Sequence, residues 1–348
     1  MSLPWFEIFV FPGFIFIIVL TLIFEQASSR LYSRFDFSDK KPPMFIPLQT
    51  YYLLSFKGQS DKIEPKSILQ TLALIIMFFI ALFSSLLLPI NIYTDFQETI
   101  GIFGGYPGIT TGISGIISFE GDLILFISLL MLFGVSVFFV QFFNEEKSSS
   151  SSIKSTLQFV IFDISLLLAL AGPAIARKTL SISYLAEDIR RIVLYNKLFG
   201  FVFLLPLGIF VAITSLSFKF DQAYFDRINS AEQIGIKPPL TNNWKRGIFN
   251  LAMRIMEVVI AGVIVAVFLG GAYLPIPITE SSSLNILIYT LNFSFKTGLL
   301  LLVSAVVKVI LPRLKFAQAN NLTWKILTPI SLCSVLLISG FIGFFGLH

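Results

Sequence analysis

Among its 348 residues this chain has one cysteine, Cys333, and one histidine, His348. One thiol excludes an internal disulfide framework. It also excludes an iron–sulfur cluster held by this chain alone, because such clusters take about four cysteine thiolates. With one histidine, neither haem ligation nor a histidine-based metal site is expected. Charge is scarce too. Asp, Glu, Lys and Arg make up 13% of the residues, against roughly 25% in soluble domains. No zinc constellation and no catalytic triad can be drawn from this inventory. The glycine-rich stretch GIFGGYPGITTGISG at 101–115 is no dinucleotide fingerprint, because no strand–turn–helix unit surrounds it.

What the chain does have is apolar length. It is 55% hydrophobic, with a mean hydropathy of +0.86. Apolar stretches of about 20 residues recur, the length an α-helix needs to cross a ~30 Å hydrocarbon core. They fall at 5–27, 67–92, 121–143, 154–176, 192–217, 246–271, 285–311 and 324–346. The expected fold is all-α: a polytopic membrane protein with one transmembrane domain over 1–348, about eight transmembrane helices and amphipathic interfacial helices. The first span reads as a retained helix. It lacks the basic leading region of a cleavable signal, and Pro4, Trp5 and Glu7 precede its apolar run.

Lys and Arg set the expected orientation. With the N-terminus outside a cell membrane, most of the 25 basic residues fall inside, and both termini come out on the exterior face. The exception is the 177–191 connection, whose Arg177, Lys178, Arg190 and Arg191 lie outside. The net charge of +5 then follows from the interior loops and does not argue for nucleic acid. Three interior segments, 28–66, 218–245 and 312–323, are too long for turns and are expected to form one partner-facing surface. The first contains FIPLQTYYLLSFKG, able to lie along the membrane as an amphipathic helix. The exterior 93–120 segment is expected to be a loop or a short surface helix. Ser148–Ser152 reads as a linker.

Four charges stand near the middle of spans. Asp163 should face the bundle interior or water, because a charge at bilayer depth costs roughly 2.5–3.5 kcal/mol on insertion scales. It is either a carboxylate of a proton path or a neutral interhelical hydrogen-bonding group. Arg254 and Glu257 are three apart and share one helical face. Their pair either fixes packing or switches with charge elsewhere. Lys296 asks for a counter-charge, with Asp163 and Glu257 as candidates, unless it snorkels.

The stretch LPRLKFAQANNLTWKILTPISL at 311–332 is unusually polar for a connection between apolar runs. It resembles the same segment of the H-type membrane subunits of complex I (NADH-quinone oxidoreductase), a family that extends to energy-converting membrane-bound hydrogenases. The family pattern is met by Leu311, Pro312, Arg313, Lys315, Phe316, Gln318, Leu322, Trp324, Lys325, Leu327, Pro329, Ser331 and Leu332. Ala317 stands where the family has Asp. Weaker similarity lies in SLSFKFDQ followed by SAEQ, in VFLGG at 267–271, and in the first interior loop, where Arg34, Pro47, Leu48 and Lys57 fall on family positions. The chain is a divergent member of that pattern. The Gly-Pro pairs of the first loop are absent, an Asp of the amphipathic helix is Thr50, and the Tyr-Glu of the fourth span is Phe162–Asp163.

The resemblance implies a membrane subunit of a respiratory oxidoreductase that forms a quinone-access chamber and couples quinone reduction to proton translocation. It implies Arg34, Pro47 and Lys57 at the quinone, and Asp163, Arg254, Glu257, Lys296, Asp221, Asp226 and Glu232 along the coupling route. Arg313, Lys315, Gln318, Trp324 and Lys325 would dock partners. Quinone would be the substrate. Iron–sulfur clusters would sit in soluble hydrogenase-like subunits of a redox arm, and antiporter-like membrane subunits would be further partners. The same scaffold in a ferredoxin-driven hydrogenase or sulfur reductase, with no quinone, is the alternative. An independent transporter is another, although no inverted internal repeat is visible.

Overall fold

The computed structural model of the chain describes residues 8–11, 13–35, 65–94, 111–143, 149–187, 198–222, 243–273, 282–310 and 316–345. The helices are α1 (Phe14–Phe35), α2 (Pro65–Ser85), α3 (Asp122–Phe142), α4 (Ser149–Arg177), α5 (Leu198–Gln222), α6 (Asn243–Leu269) and α7 (Ser282–Ile310). The last rod is α8 (Phe316–Leu322), a π-helical turn (Thr323–Leu327) and α9 (Thr328–Phe345). Every expected span contains one of these helices. Five have stretches long and apolar enough to cross a membrane, while the apolar stretches of α1, α4 and α5 are shorter. The protein is an all-α, multi-pass membrane protein.

Side-chain contacts fix the alternating direction of the helices. Gln70 of α2 donates to the Val140 carbonyl of α3 at 3.3 Å, and Lys245 of α6 donates to Gln70 Oε1 at 3.4 Å. The starts of α2 and α6 therefore meet the end of α3, and this side of the bundle is its near end. At the far end, Asp122 at the start of α3 accepts from Ile182 N at 2.6 Å and Ser181 Oγ at 3.3 Å, just beyond α4.

Helix α6 is the axis of the bundle and packs on α1, α2, α4, α5 and α7. Its run VVIAGVIVAVF is apolar on every side, and Val258 through Phe268 are buried. A helix without a polar face has no side to present to water and belongs inside. Helices α3 and α9 are peripheral. Ile124, Leu132, Phe139, Leu336 and Leu337 are exposed, as a lipid-facing surface requires. Gly298 lets α7 meet α1: a Cβ there would lie 2.3 Å from Phe24 Cε1.

Several boundaries differ from the sequence expectation, and Ser149–Ser152, expected to belong to a linker, forms the start of α4 because nothing in the run breaks a helix. The first helix covers Phe14–Phe35 and outlasts the 5–27 span, because hydropathy falls at Gln26–Arg30 while no Gly or Pro stops the helix there. The 312–323 segment is not a plain connection: Phe316–Leu322 is helical and runs through the π turn into α9. The 93–120 segment, expected to be a loop or a short surface helix, takes part in a strand pair at its described ends. An antiparallel ribbon pairs β1 (Asn91–Thr94) with β2 (Thr111–Ser114), in the register Asn91 opposite Ser114 and Thr94 opposite Thr111. Alternation of β-branched and small residues over so short a run is too weak a pattern to read in advance.

Candidate functional site

Two buried ionic sites lie toward the near end. The first joins α4 to α5. Asp163 is 0% exposed and Lys219 1%, and Lys219 Nζ donates to Asp163 Oδ1. Aromatic rings surround the pair. Lys219 Nζ lies 4.2 Å from the Phe159 ring centroid and 5.7 Å from that of Phe220, and Phe162 stacks on Phe218. Asp163 Oδ2 is buried with no hydrogen-bond partner among the described residues. The sequence places Lys219 beyond the end of a 192–217 span. In the structure α5 runs on to Gln222, and that extra turn brings the lysine under the carboxylate. The one sequence signal for it is its placement between Phe218 and Phe220.

The second site joins α6 to α7. Glu257 Oε2 accepts from Arg254 Nη1 at 2.6 Å, and Glu257 Oε1 accepts from Lys308 Nζ at 2.7 Å. Both carboxylate oxygens are thus held by cations. The expected Arg254–Glu257 face is present. Lys308, inside the apolar run VVKVI, reads in the sequence as one more interior basic charge, and the structure makes it a partner of Glu257. These three side chains line a cleft with Thr21, Phe24, Glu25 and Ser28 of α1 and Leu301 and Ala305 of α7. Its cavity volume is about 20 Å³, room for one water and far below the ~300–1,000 Å³ of small-molecule pockets.

Hydroxyl contacts also join α5 to α7 and α4 to α5. Ser304 stands one turn before Lys308 on α7, and its Oγ meets Ser217 Oγ of α5 at 3.0 Å. Ser217 is two residues before Lys219 and so points away from it, toward α7 while Lys219 points toward α4. Nearby, Ser165 of α4 meets Ser215 of α5 at 2.8 Å. Asp163 and Glu257 also stand at the same sequence distance from the starts of α4 and α6. The two ionic sites therefore occupy the same half of the bundle, with a polar seam across α5 and α7.

Lys296 is elsewhere, and this corrects the expectation of a pair with Asp163 or Glu257. It reaches the far end of α6. Its Nζ donates to the carbonyls of Leu269 at 2.9 Å, Gly271 at 3.0 Å and Tyr273 at 2.9 Å. Asn292 adds donors to Ala272 and Tyr273, each at 2.9 Å. Helix α6 ends there because Gly270 and Gly271 adopt φ of 70° and 57°, and Gly271 N returns to Val265 O at 3.0 Å. Such an end leaves outward-facing carbonyls, the negative pole of the helix. An ammonium with three donors meets the last helical carbonyl, Leu269, and two carbonyls of the turn that follows, so Lys296 is held by a helix end and not by a carboxylate.

The remaining expected site residues scatter. Asp221 lies in the last turn of α5 and Arg34 in the last turn of α1. Asp226, Glu232, Pro47, Lys57, Arg313 and Lys315 lie outside the described residues. Gln318, Trp324 and Lys325 are exposed on α8 and the π turn.

A profile of the NADH dehydrogenase family matches residues 6–339. The chain is similar to NADH-quinone oxidoreductase subunit 8 of Rhodothermus marinus, 27% identical over 56% of this chain and 60% of that one. It is similar to the NADH-quinone oxidoreductase H subunit of Wolbachia pipientis wMel, 25% identical over 58% of each. Over a shorter stretch, 28% of this chain and 29% of the relative, it is 30% identical to the NADH-quinone oxidoreductase H subunit of Hyphomonas neptunium. The matched stretches span 60% or less of these relatives' own length.

Proposed function

The chain belongs to the NADH dehydrogenase family, and from that premise we propose that it is the membrane subunit of a complex I-like oxidoreductase that couples quinone reduction to proton translocation. The observation that carries the reading is the polar seam. Two buried carboxylates, each tied to a cation, lie in one half of the bundle, with hydroxyl contacts between α4 and α5 and between α5 and α7. Ionised groups are costly in a bilayer, and one ion pair would suffice to fix helix packing. A row of them crossing four helices suits the transfer of charge. One end of the row, at Glu257, lines the cleft between α1, α6 and α7.

In this reading the near end is the interior face, and both termini are exterior. Quinone approaches from the lipid beside α1 and α6. Electrons come from iron–sulfur clusters in soluble partner subunits; reducing a quinone to a quinol takes two electrons and two protons. Arg34, Pro47 and Lys57 would stand at the quinone. Asp221, Asp226 and Glu232 would connect it to the seam, and antiporter-like membrane subunits would receive its effect. The 28–66, 218–245 and 312–323 segments would carry the soluble arm.

One observation favours a second reading. The cleft as it stands fits a water and not a quinone ring. The same coupling subunit in a ferredoxin-driven hydrogenase or sulfur reductase would need no such chamber. Purification of the native assembly, followed by an inventory of its subunits and an assay of quinone reduction with proton uptake in proteoliposomes, separates the two. Quinone reduction that acidifies or alkalinises the vesicle lumen is the expected result. Proton movement driven by reduced ferredoxin in quinone-free vesicles would select the second reading.

A further inference from the structure

The turn that closes α6 is built around a single point. Helix α6 stops at Leu269, and Gly270 and Gly271 carry the chain on through left-handed φ of 70° and 57°. Two such residues in a row unwind the backbone and free carbonyls from the helical ladder. Three of these carbonyls, Leu269, Gly271 and Tyr273, converge on Lys296 Nζ at 2.9, 3.0 and 2.9 Å. One face of α7 holds the turn in that shape. Asn292 donates to the Ala272 and Tyr273 carbonyls at 2.9 Å each, and the Tyr289 ring meets the Tyr273 ring edge to face. Tyr289, Asn292 and Lys296 are three and four residues apart, so they share that face.

Converging backbone carbonyls are the chemistry of a cation site. Carbonyl rings replace the hydration shell of potassium in selective channels. Unwound backbone and helix C-terminal ends coordinate sodium in transporters. The negative pole of α6 points the same way. The donor set also selects the ion. Calcium takes oxygens at about 2.3–2.6 Å and magnesium at about 2.0–2.1 Å, usually with carboxylates among them. Here the oxygens stand 2.9–3.0 Å from the centre, and all three are uncharged carbonyls. That suits a large monovalent cation, of which ammonium and potassium are near equals in size. Lys296 is half-buried, so the open side of the site leaves room for water to complete a free ion's shell.

We propose that the turn closing α6 is a monovalent-cation site, and that the ammonium of Lys296 is a cation tethered in it. The tether keeps the site filled whatever ions the medium holds, so the α6–α7 contact at the far end is closed at any salt composition. With the ammonium removed, the same oxygens take a free potassium or ammonium ion. The side chain can reach the turn because α7 begins at the far end, and helical side chains lean toward the start of their helix. The site lies apart from the polar seam and does not depend on the coupling role proposed above.

The test compares the native assembly with its Lys296→Ala variant in potassium, ammonium and choline chloride at equal ionic strength. Choline is too large for the site and serves as the control. Yield on detergent extraction is read first, so a variant too unstable to purify in choline still reports. Melting temperature is read next, then binding of radioactive rubidium, a stand-in for potassium, by equilibrium dialysis. Lys296→Ala should extract poorly and melt low in choline, and recover most of both losses, saturably, in potassium and ammonium. It should bind an additional rubidium ion per chain relative to wild type. Wild type should melt at the same temperature in all three salts. Lys296→Gln, which keeps an N–H donor for the carbonyls, should lose less stability and gain less from either ion. Equal yield and melting of Lys296→Ala in the three salts overturns the proposal. So does a potassium-specific gain of the same size in wild type, which would place the ion elsewhere in the assembly.

Discussion

Lys308 Nζ sits 2.7 Å from Glu257 Oε1 across the α6–α7 contact, and Arg254 Nη1 sits 2.6 Å from the other oxygen of the same carboxylate. One carboxylate thus meets a cation on each of its oxygens. Removing it is costly. Breaking a buried pair from one side destabilises by about 3–5 kcal/mol, and here the change removes two charged contacts, of which the Lys308 side is 3% exposed. Glu257→Gln is expected to lower the yield and melting temperature of the assembly. Glu257→Gln combined with Lys308→Met, which leaves no cation directly across the helix contact, is expected to recover most of that loss. Differential scanning fluorimetry of the purified assemblies checks both.

Ser304 and Ser217 let the α5–α7 hydroxyl contact be tested for a part in coupling without touching a charge. The Ser217 hydroxyl also bonds the Ile213 carbonyl at 2.7 Å. Loss of its partner therefore strands little, and Ser304→Ala should cost no more than about 1 kcal/mol of stability, the net worth of an ordinary hydrogen bond. Its expected effect is on function: slower proton movement at an unchanged rate of electron transfer. Stopped-flow proton uptake beside a quinone reduction assay reads the two separately. Equal slowing of both rates would assign the hydroxyls to packing.

Lys296 gives the opposite expectation. Its three bonds cap α6 at the far end, away from the seam. Hydrogen bonds from charged donors contribute about 1.5–3 kcal/mol each. Lys296→Met should lower the thermal stability of the assembly while leaving the proton-to-electron ratio at the wild-type value. A changed ratio with unchanged melting would return Lys296 to the coupling route.

The helices are legible in the sequence because apolar length is a direct statement about the bilayer. The intramembrane acids Asp163 and Glu257 are legible for the same reason: a charge inside an apolar run stands out. Their partners are not. Lys219 and Lys308 lie near the ends of spans, where a lysine normally snorkels to the interface, so position alone suggests solvent. Only the helix extension through Phe220 and the approach of α7 to α6 show that both turn inward. Lys296 misleads in the other direction. A lysine at mid-span asks for an anion, and its actual partner, the carbonyls of a glycine-terminated helix, carries no charged side chain for a sequence reading to find.

Gly298 offers a measure of how tightly α1 closes the cleft. An added Cβ would lie 2.3 Å from Phe24 Cε1 and 2.6 Å from Cζ, and Phe24 itself lines the cleft. Gly298→Ala must push the ring aside. Overpacking of this kind costs about 1–3 kcal/mol. Phe24→Leu should remove the clash, so the double variant is expected to be more stable than Gly298→Ala alone. A double-mutant cycle on melting temperature checks the coupling. If the cleft is a doorway for quinone, Phe24→Leu should also lower the quinone concentration needed for half-maximal rate.

The polar near-end rod makes the last prediction. Trp324 is 53% exposed, and it stands with exposed Lys325 on the π turn, directly after α8 with its exposed Gln318. Two environments would suit them. At the lipid headgroups an indole and an ammonium both gain, since Trp concentrates at membrane interfaces and Lys snorkels there. Against a soluble partner the indole would anchor a contact patch, Trp being among the residues that dominate protein interfaces. The second fits the proposed role, because a π turn is a rare local geometry, found frequently at functional sites. Trp324→Ala with Lys325→Glu is expected to leave the membrane subunits associated with one another and to release the soluble arm on gentle detergent purification. Gel filtration with a subunit inventory reads this directly. Retention of the soluble arm by that variant would assign the rod to the lipid headgroups.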